Sequence, residues 1–389
     1  MSANEECRGG ARRLRRSRLP LLLALCALVA ASAGSVRAQD EPPVEPPPEF
    51  DLGDLPDFFD ADPIAEEPRL TIHGTIDLTL ILFDSEENLD GFPEDRLTLL
   101  EPRISLAYDW TDRTRLLAEI EVDGLDWELE VEQLNLRHSL DDHLDVTAGV
   151  FYVPFGIERH YYAPATNPLV DRPSPFRRVF PGTYADLGLH LHYERPVPEG
   201  WSMVVEGAVT RALEGPTRDD RPKFSDDIDT VAPSGRLGFI APGGLRFGTS
   251  ALTARYDDGV GGHEDLRLHG VDLSLHHGLW IFRAEAIWGR VGRAASAGGD
   301  FDRYGWYAEL YRRFPNLPPW GRAFEGVVRF DDVEVDDSVR DAQDVRRFAF
   351  GWNWVFDDHW RLKTEFLVSR EDGESVANDG RFIQLEVHF

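Results

Sequence analysis

Lysine is almost missing from this chain. Only Lys223 and Lys363 occur among 389 residues, so nearly every basic group is an arginine. Cysteine is confined to Cys7 and Cys26. The chain beyond residue 38 can therefore form no disulfide, thiol nucleophile or cysteine metal site. That same region has no run of roughly 18 apolar residues, which excludes an ordinary transmembrane helix in it. Basic residues number 41 against 70 acids, for a formal net charge of −29. Such a balance argues against nucleic acid as a partner, because a phosphate backbone needs a basic footprint. The G-x-S-x-G, Walker A and zinc-protease patterns are absent. No catalytic residue, cofactor or metal site is predicted, and the chain reads as non-enzymatic.

The N-terminus has the layout of a secretory signal peptide. Arg8, Arg12, Arg13, Arg15, Arg16 and Arg18 precede an apolar stretch from Leu19 to Ala33, and Val36-Arg37-Ala38 ends it. Cleavage is expected before Gln39, making residues 1–38 a targeting segment and leaving a net charge of −34. Residues 39–68 hold eight prolines and eleven acids with no lysine or arginine. A stretch of that composition buries too little apolar surface to offset its chain entropy, so a disordered linker is expected.

From residue 69 to 389 the texture changes to strict alternation. Leu70, Ile72, Ile76, Leu78, Leu80 and Leu82 share one face of a strand, with Thr71, His73, Thr75, Asp77 and Thr79 on the other. Leu187, Leu189 and Leu191 alternate with His190 and His192, and Phe348, Phe350, Trp352 and Trp354 with Arg347 and Asn353. A period of two over such lengths means long β-strands. Sixteen are predicted, starting near 70, 96, 114, 129, 144, 185, 201, 234, 245, 266, 279, 303, 323, 345, 360 and 381. Trp127, Leu129 and Val131 run out of phase with Leu134 and Leu136, which predicts a bulge near Glu132. Pro102 removes a ladder donor inside the second strand.

Connections alternate in length. Thr111-Asp112-Arg113, Asp141-Asp142-His143, Pro242-Gly243-Gly244 and Asp357-Asp358-His359 are short turns. Asp84–Asp95, Pro154–Tyr184, Glu214–Ala232, Arg290–Asp302 and Asp331–Asp344 are long. Trp110, Trp201, Trp280, Trp354 and Trp360 fall beside the short turns, and Trp288, Trp306 and Phe348 toward the long loops. Long strands, alternating connections and two aromatic bands predict an all-β fold, a transmembrane antiparallel β-barrel of about sixteen strands. An even count puts both ends on the side of the short, periplasmic turns. Outward small residues (Gly74, Ala284 and Ala286) are expected to leave room for a neighbouring copy.

One segment, Gly149-Val-Phe-Tyr-Val-Pro-Phe-Gly-Ile-Glu158, resembles the G-x-F-x-x-P-F-G-x-E segment of the phosphate-selective porin O and P family. Gly270-Val271-Asp272 with Ala284-Glu285, and Gly305-Trp306-Tyr307-Ala308-Glu309, are similar to shorter stretches of that family. Phe389 after alternating apolar residues resembles the terminal signal of outer-membrane barrels. The resemblance implies a sixteen-stranded porin in the outer membrane of a Gram-negative bacterium. It also implies a homotrimer, bordered by lipid and lipopolysaccharide, that passes small anions such as phosphate. The scarcity of lysine departs from the family, whose phosphate-selective members carry lumenal lysines.

Sixteen strands enclose a channel too wide for wall side chains to fill. The longest external loop, Pro154–Tyr184, carries Arg159, Arg172, Arg177 and Arg178 against Glu158 and Asp171. The first external loop has six acids and no base, and the seventh has seven acids and one arginine. A basic loop folded inward would focus a positive potential in a narrow channel. Those four arginines are therefore the expected pore constriction. The alternative is that they pair with Glu158, Asp171 and wall acids to hold the loop. Arg103, Arg115, Arg137, Arg283, Arg329 and Arg347 are expected on the lumen wall. Glu119, Glu121, Glu206, Glu285, Glu309, Glu325, Glu365 and Glu386 are expected beside them. That acidity leaves a general or cation-preferring porin open, and acidic loops leave a structural or adhesive barrel open. His190 and His192 share one face and lack a recognisable third metal ligand.

Overall fold

The computed structural model describes residues 68–83, 96–122, 129–161, 166–181, 184–211, 231–257, 263–293, 299–315, 321–339, 344–371 and 379–389. The expected targeting segment, nearly all of the linker and the first external loop lie outside the described residues. The strands are β1 (Arg69–Phe83), β2 (Arg96–Thr111), β3 (Thr114–Val122), β4 (Leu129–Ser139), β5 (Leu144–Tyr152), β6 (Ala185–Val197), β7 (Trp201–Arg211) and β8 (Val231–Ile240). They continue as β9 (Leu245–Asp257), β10 (His263–His277), β11 (Trp280–Val291), β12 (Phe301–Pro315), β13 (Ala323–Glu334), β14 (Val345–Val355), β15 (Trp360–Glu371) and β16 (Gly380–His388). Each pairs antiparallel with its sequence neighbours, and β16 returns to β1, closing a sixteen-stranded barrel.

Alternation decides which way each side chain points. On β1, Leu70 and Ile72 stand exposed outside while Thr75, Asp77 and Thr79 are buried inside. On β14, Phe348 is exposed while Arg347 and Asn353 are buried inside. The barrel is thus apolar outside and polar inside, the reverse of a water-soluble sandwich. Trp110, Trp280 and Trp360 are exposed beside the short turns, and Trp288 and Phe348 toward the opposite rim. The phase change on β4 is a bulge. Glu119 faces Gln133 and the next residue, Ile120, faces Val131, so Glu132 is left over. Glu132 turns inward and accepts the Tyr152 hydroxyl at 2.9 Å. Pro102 sits opposite Ile76, next to a one-residue slip between β1 and β2.

The closing seam depends on one glycine. Gly74 and Phe389 exchange both backbone hydrogen bonds, at 2.9 and 3.0 Å. A Cβ added at Gly74 would lie inside the Phe389 ring. Gly74 is therefore filled by the chain's own last residue, and Ala284 and Ala286 are buried by their neighbours. Replacing Gly74 by valine should displace Phe389 and cost about 1–3 kcal/mol through overpacking. The midpoint of the heat-dependent gel-mobility shift should fall; an unchanged midpoint would show that the ring moves aside freely.

Candidate functional site: the barrel interior

The long segment between β5 and β6 turns into the barrel. Its two ends are joined by the Val153 N–H donating to the Tyr184 carbonyl at 2.9 Å. Gly156 makes the inward turn at φ 64°, where a side chain would strike the Glu285 carboxylate. The Gly156 N–H donates to Ser250 Oγ at 3.0 Å and the Ile157 N–H to Glu285 Oε2 at 2.9 Å. A single-turn helix, α1 (Pro175–Arg178), follows further along.

This loop has an apolar core of its own. Val153, Phe155, Phe176, Val179 and Phe180 pack on inward Leu252, Leu266, Leu268, Ile287, Tyr307 and Val333. Phe155 and Phe180 stack with centroids 4.8 Å apart. The loop seats on glycines: a Cβ at Gly270 would crowd the Phe155 ring, and one at Gly305 would crowd Pro175 and Val179. Sequence reasoning missed this inner apolar wall, although a signal existed. On β10 the alternation is inverted, with Leu266 and Leu268 inside while Arg267 and His269 are exposed outside. On β9, Thr249, Thr253 and Arg255 likewise face outward.

The far part of the loop is anchored by polar groups. The Val170 and Asp171 N–H groups donate to Glu365 Oε2 at 2.7 and 2.8 Å. Asn353 donates to the Pro168 carbonyl at 2.9 Å, and Lys363 to the Asn167 carbonyl at 2.6 Å. Arg329 donates to the Asp171 carbonyl at 2.8 Å. The loop thus reaches from β5 across the interior to β13, β14 and β15.

Arg159, Arg172 and Arg177 sit in ion pairs. Arg159 meets Glu206 on β7 at 2.6 Å. Arg172 makes a two-pronged pair with Glu158, both contacts 2.6 Å. Arg177 meets Asp171 at 2.6 Å, and Asp171 also faces Arg347 at 3.4 Å. Arg178 is half-buried at the end of α1. All six wall arginines point inward. Arg103 pairs with Glu119 and Glu121, Arg115 with Asp109, Arg137 with Asp145 and Arg283 with Glu309. Arg329 pairs with Asp331 at 3.2 Å. Arg329 and Arg347 lie fully buried beneath the loop.

The pairs are oriented. The arginine is more exposed than its acid at Arg137–Asp145 (30% against 13%), Arg159–Glu206 (14% against 3%), Arg172–Glu158 (12% against 4%), Arg177–Asp171 (10% against 2%) and Arg211–Asp186 (24% against 1%). Arg103–Glu121, Arg329–Asp171, Arg329–Glu309 and Arg347–Asp171 run the other way. Where the order holds, carboxylates are recessed and guanidinium edges meet the open interior. His190 and His192 flank Glu206 at 3.5 and 3.6 Å, and the same carboxylate oxygen holds Arg159. The carboxylate that could join the two imidazoles is thus occupied by the loop.

No model of a known protein family matches the chain. An uncharacterised protein of Aquifex aeolicus (strain VF5) is 25% identical over 209 residues, 50% of this chain and 47% of that protein. The chain spans about half the length of that curated relative. Among solved structures, the anion-selective porin from Comamonas acidovorans superposes with a TM-score of 0.61 at 12% identity, over 83% of this chain and 100% of that one. The trimer form of OmpT from Vibrio cholerae gives 0.56 at 10% identity, over 83% and 100%. The outer membrane channel DcaP of Acinetobacter baumannii gives 0.55 at 11%, over 83% and 98%. At these identities the likeness establishes a shared porin-like barrel fold.

Two substitutions probe the loop separately. Glu365→Gln removes a charge that accepts two N–H bonds, and hydrogen bonds to charged groups contribute about 1.5–3 kcal/mol. Gly270→Val lifts Phe155 from its seat. Each should loosen the loop and raise or destabilise single-channel conductance while leaving barrel circular dichroism intact. Unchanged current traces for both would mean that the loop does not narrow the path.

Proposed function

We propose that the chain is an outer-membrane porin, a passive diffusion channel for small anions, phosphate among them, narrowed by the inward third loop. The observation that carries this reading is the orientation of the interior ion pairs. Each pair is neutral overall, yet in those around Arg137, Arg159, Arg172, Arg177 and Arg211 the positive end is the more exposed. In a narrow channel with low-dielectric walls such dipoles act with little screening. Guanidinium edges also match phosphate and carboxylate oxygens two at a time. The exposed apolar outer face supports a lipid setting, and the pattern over residues 1–38 supports export.

In this reading Arg159, Arg172, Arg177 and Arg178 border the constriction, and Arg115 and Arg137 continue the cationic surface toward the short-turn rim. The trimer form named for the similar OmpT structure supports the same assembly here, with lipopolysaccharide around the outer rim. A cation-preferring channel would need its acids at the water, whereas most interior carboxylates lie behind their partners.

Planar-bilayer recording across a KCl gradient tests the proposal. An anion-selective reversal potential is expected, with phosphate reducing chloride current. Arg177→Glu combined with Arg178→Glu should lower the anion-to-cation permeability ratio by about tenfold at low salt. The effect should shrink near 1 M, where the screening length is about 3 Å. A cation-selective wild-type channel would transfer control to the acidic loops. No conductance from a folded barrel would favour a structural or adhesive role.

A further inference from the structure

The outer wall carries a cation without a counter-charge. On β12, Tyr311 is buried and Arg313 lies 3.8 Å from inward Glu325, so alternation sends Arg312 between them outward, near the short-turn rim. Arg312 is half-buried, and its Nε is shielded from water with no hydrogen-bond partner among the described residues. No acid there lies within ion-pair distance of it. Outward arginines toward the opposite rim are matched. Arg255 and Arg267 meet Asp265 at 3.4 and 2.9 Å, Arg290 meets Asp300 at 3.1 Å, and Arg346 meets Asp332 at 3.6 Å.

Arg312 has aromatic rings instead. Its guanidinium carbon lies 4.6 Å from the Trp280 ring centroid and 4.6 Å from that of Phe314. Ring faces attract a cation but leave its net charge in place. Beside it the wall has a gap. Arg312 stands in register with Trp280 on one side and Gly326 on the other, and Gly326 stands beside Trp352. A Cβ added at Gly326 would meet only the edge of the Phe314 ring, at 4.0 Å. A notch therefore separates Arg312 from Trp352. The next outward residues beyond it, Leu310 and Val328, are exposed and apolar.

A cation beside an apolar notch calls for a negative group joined to a hydrocarbon chain. A guanidinium meets phosphate oxygens two at a time. The lateral row of His277, Trp280, Arg312, Gly326 and Trp352 contains side-chain donors and no carboxylate, so it offers nothing to a cationic headgroup. A free phosphate would leave the notch unfilled. We propose that this patch binds an anionic phospholipid at the short-turn interface, with its phosphate on Arg312 and one acyl chain running from Gly326 past Leu310 and Val328. The proposal rests on reading the chain as an outer-membrane barrel, and it is independent of what the channel passes.

The test uses the full chain in nonionic detergent micelles, mixed with dioleoylphosphatidylglycerol or dioleoylphosphatidylethanolamine, with bound lipids counted by native mass spectrometry. Wild type should retain one more phosphatidylglycerol per chain than Arg312→Gln, whose affinity should fall at least about tenfold, as loss of charged hydrogen bonds implies. Gly326→Leu fills the notch, leaves the cation in place and should lose the same lipid; it decides the question if Arg312→Gln does not assemble. Lipid held loosely around the barrel is common to all three proteins, so the difference isolates the patch. Equal retention by wild type and the variants would overturn the proposal, as would equal retention of the two lipids by wild type. Release of phosphatidylglycerol by added inorganic phosphate would overturn the lipid assignment in favour of the free anion. Flotation with vesicles of the same two lipids checks the setting separately. A chain that does not float loses the membrane reading and this site with it, whereas a floating chain whose lipid retention ignores Arg312 loses only the site.

Discussion

Everything in this molecule follows from the need of each strand's backbone groups for partners on the next strand. An open sheet leaves two rows of unpaired N–H and C=O groups, and in an apolar surrounding no water can satisfy them. Pairing Thr75 through Phe83 with His388 through Gly380 removes both edges at once. Once the sheet is closed, the pleat has only an inside and an outside. The period of two then sends arginine and glutamate inward on one strand after another.

Closure creates a second problem, the filling of the interior, and two kinds of chemistry meet it. Toward the long-loop end, inward leucines, Ile287 and Val333 receive the root of the loop as a small core. Further in, carboxylates and guanidiniums meet one another and the loop backbone. Buried ion pairs add little net stability against an apolar equivalent, yet removing one partner costs about 3–5 kcal/mol. They therefore fix the loop's position more than they strengthen the barrel. Asp171 shows the economy of this arrangement. Its N–H reaches Glu365, its carbonyl receives Arg329, and its carboxylate faces Arg177 and Arg347.

Much of the barrel was legible in the sequence because period-two alternation is a local signal. All sixteen strands begin within three residues of their predicted starts, and the bulge falls at Glu132 as the phase change implied. The loop's inward course could be expected from its length and its arginines. Its partners could not, because Glu206, Arg329 and Glu365 lie far away in the chain and only strand register brings them near. The cover over Gly74 was illegible for the same reason, since it comes from the other end of the sequence. The inner apolar wall left a trace in the inverted alternation of β10. The trace is faint, because leucines beside an arginine and a histidine look like any half-buried strand.

That inversion bears on how the barrel would sit in a bilayer. On β1 outward apolar residues run from Leu70 to Leu82, whereas on β10 they span only Val271 to Leu275, with His269 and Arg267 beyond. The short band measures about 13 Å along the strand at about 3.3 Å per residue, and tilt shortens its height further. A typical barrel belt is about 25 Å tall. Hydrocarbon meeting this wall therefore finds a high side and a low side. Mismatch costs fractions of a kcal/mol per Å, so in a bilayer the lipid beside β9 and β10 would be drawn thin or replaced by polar material. The apolar waterline of the barrel is not level.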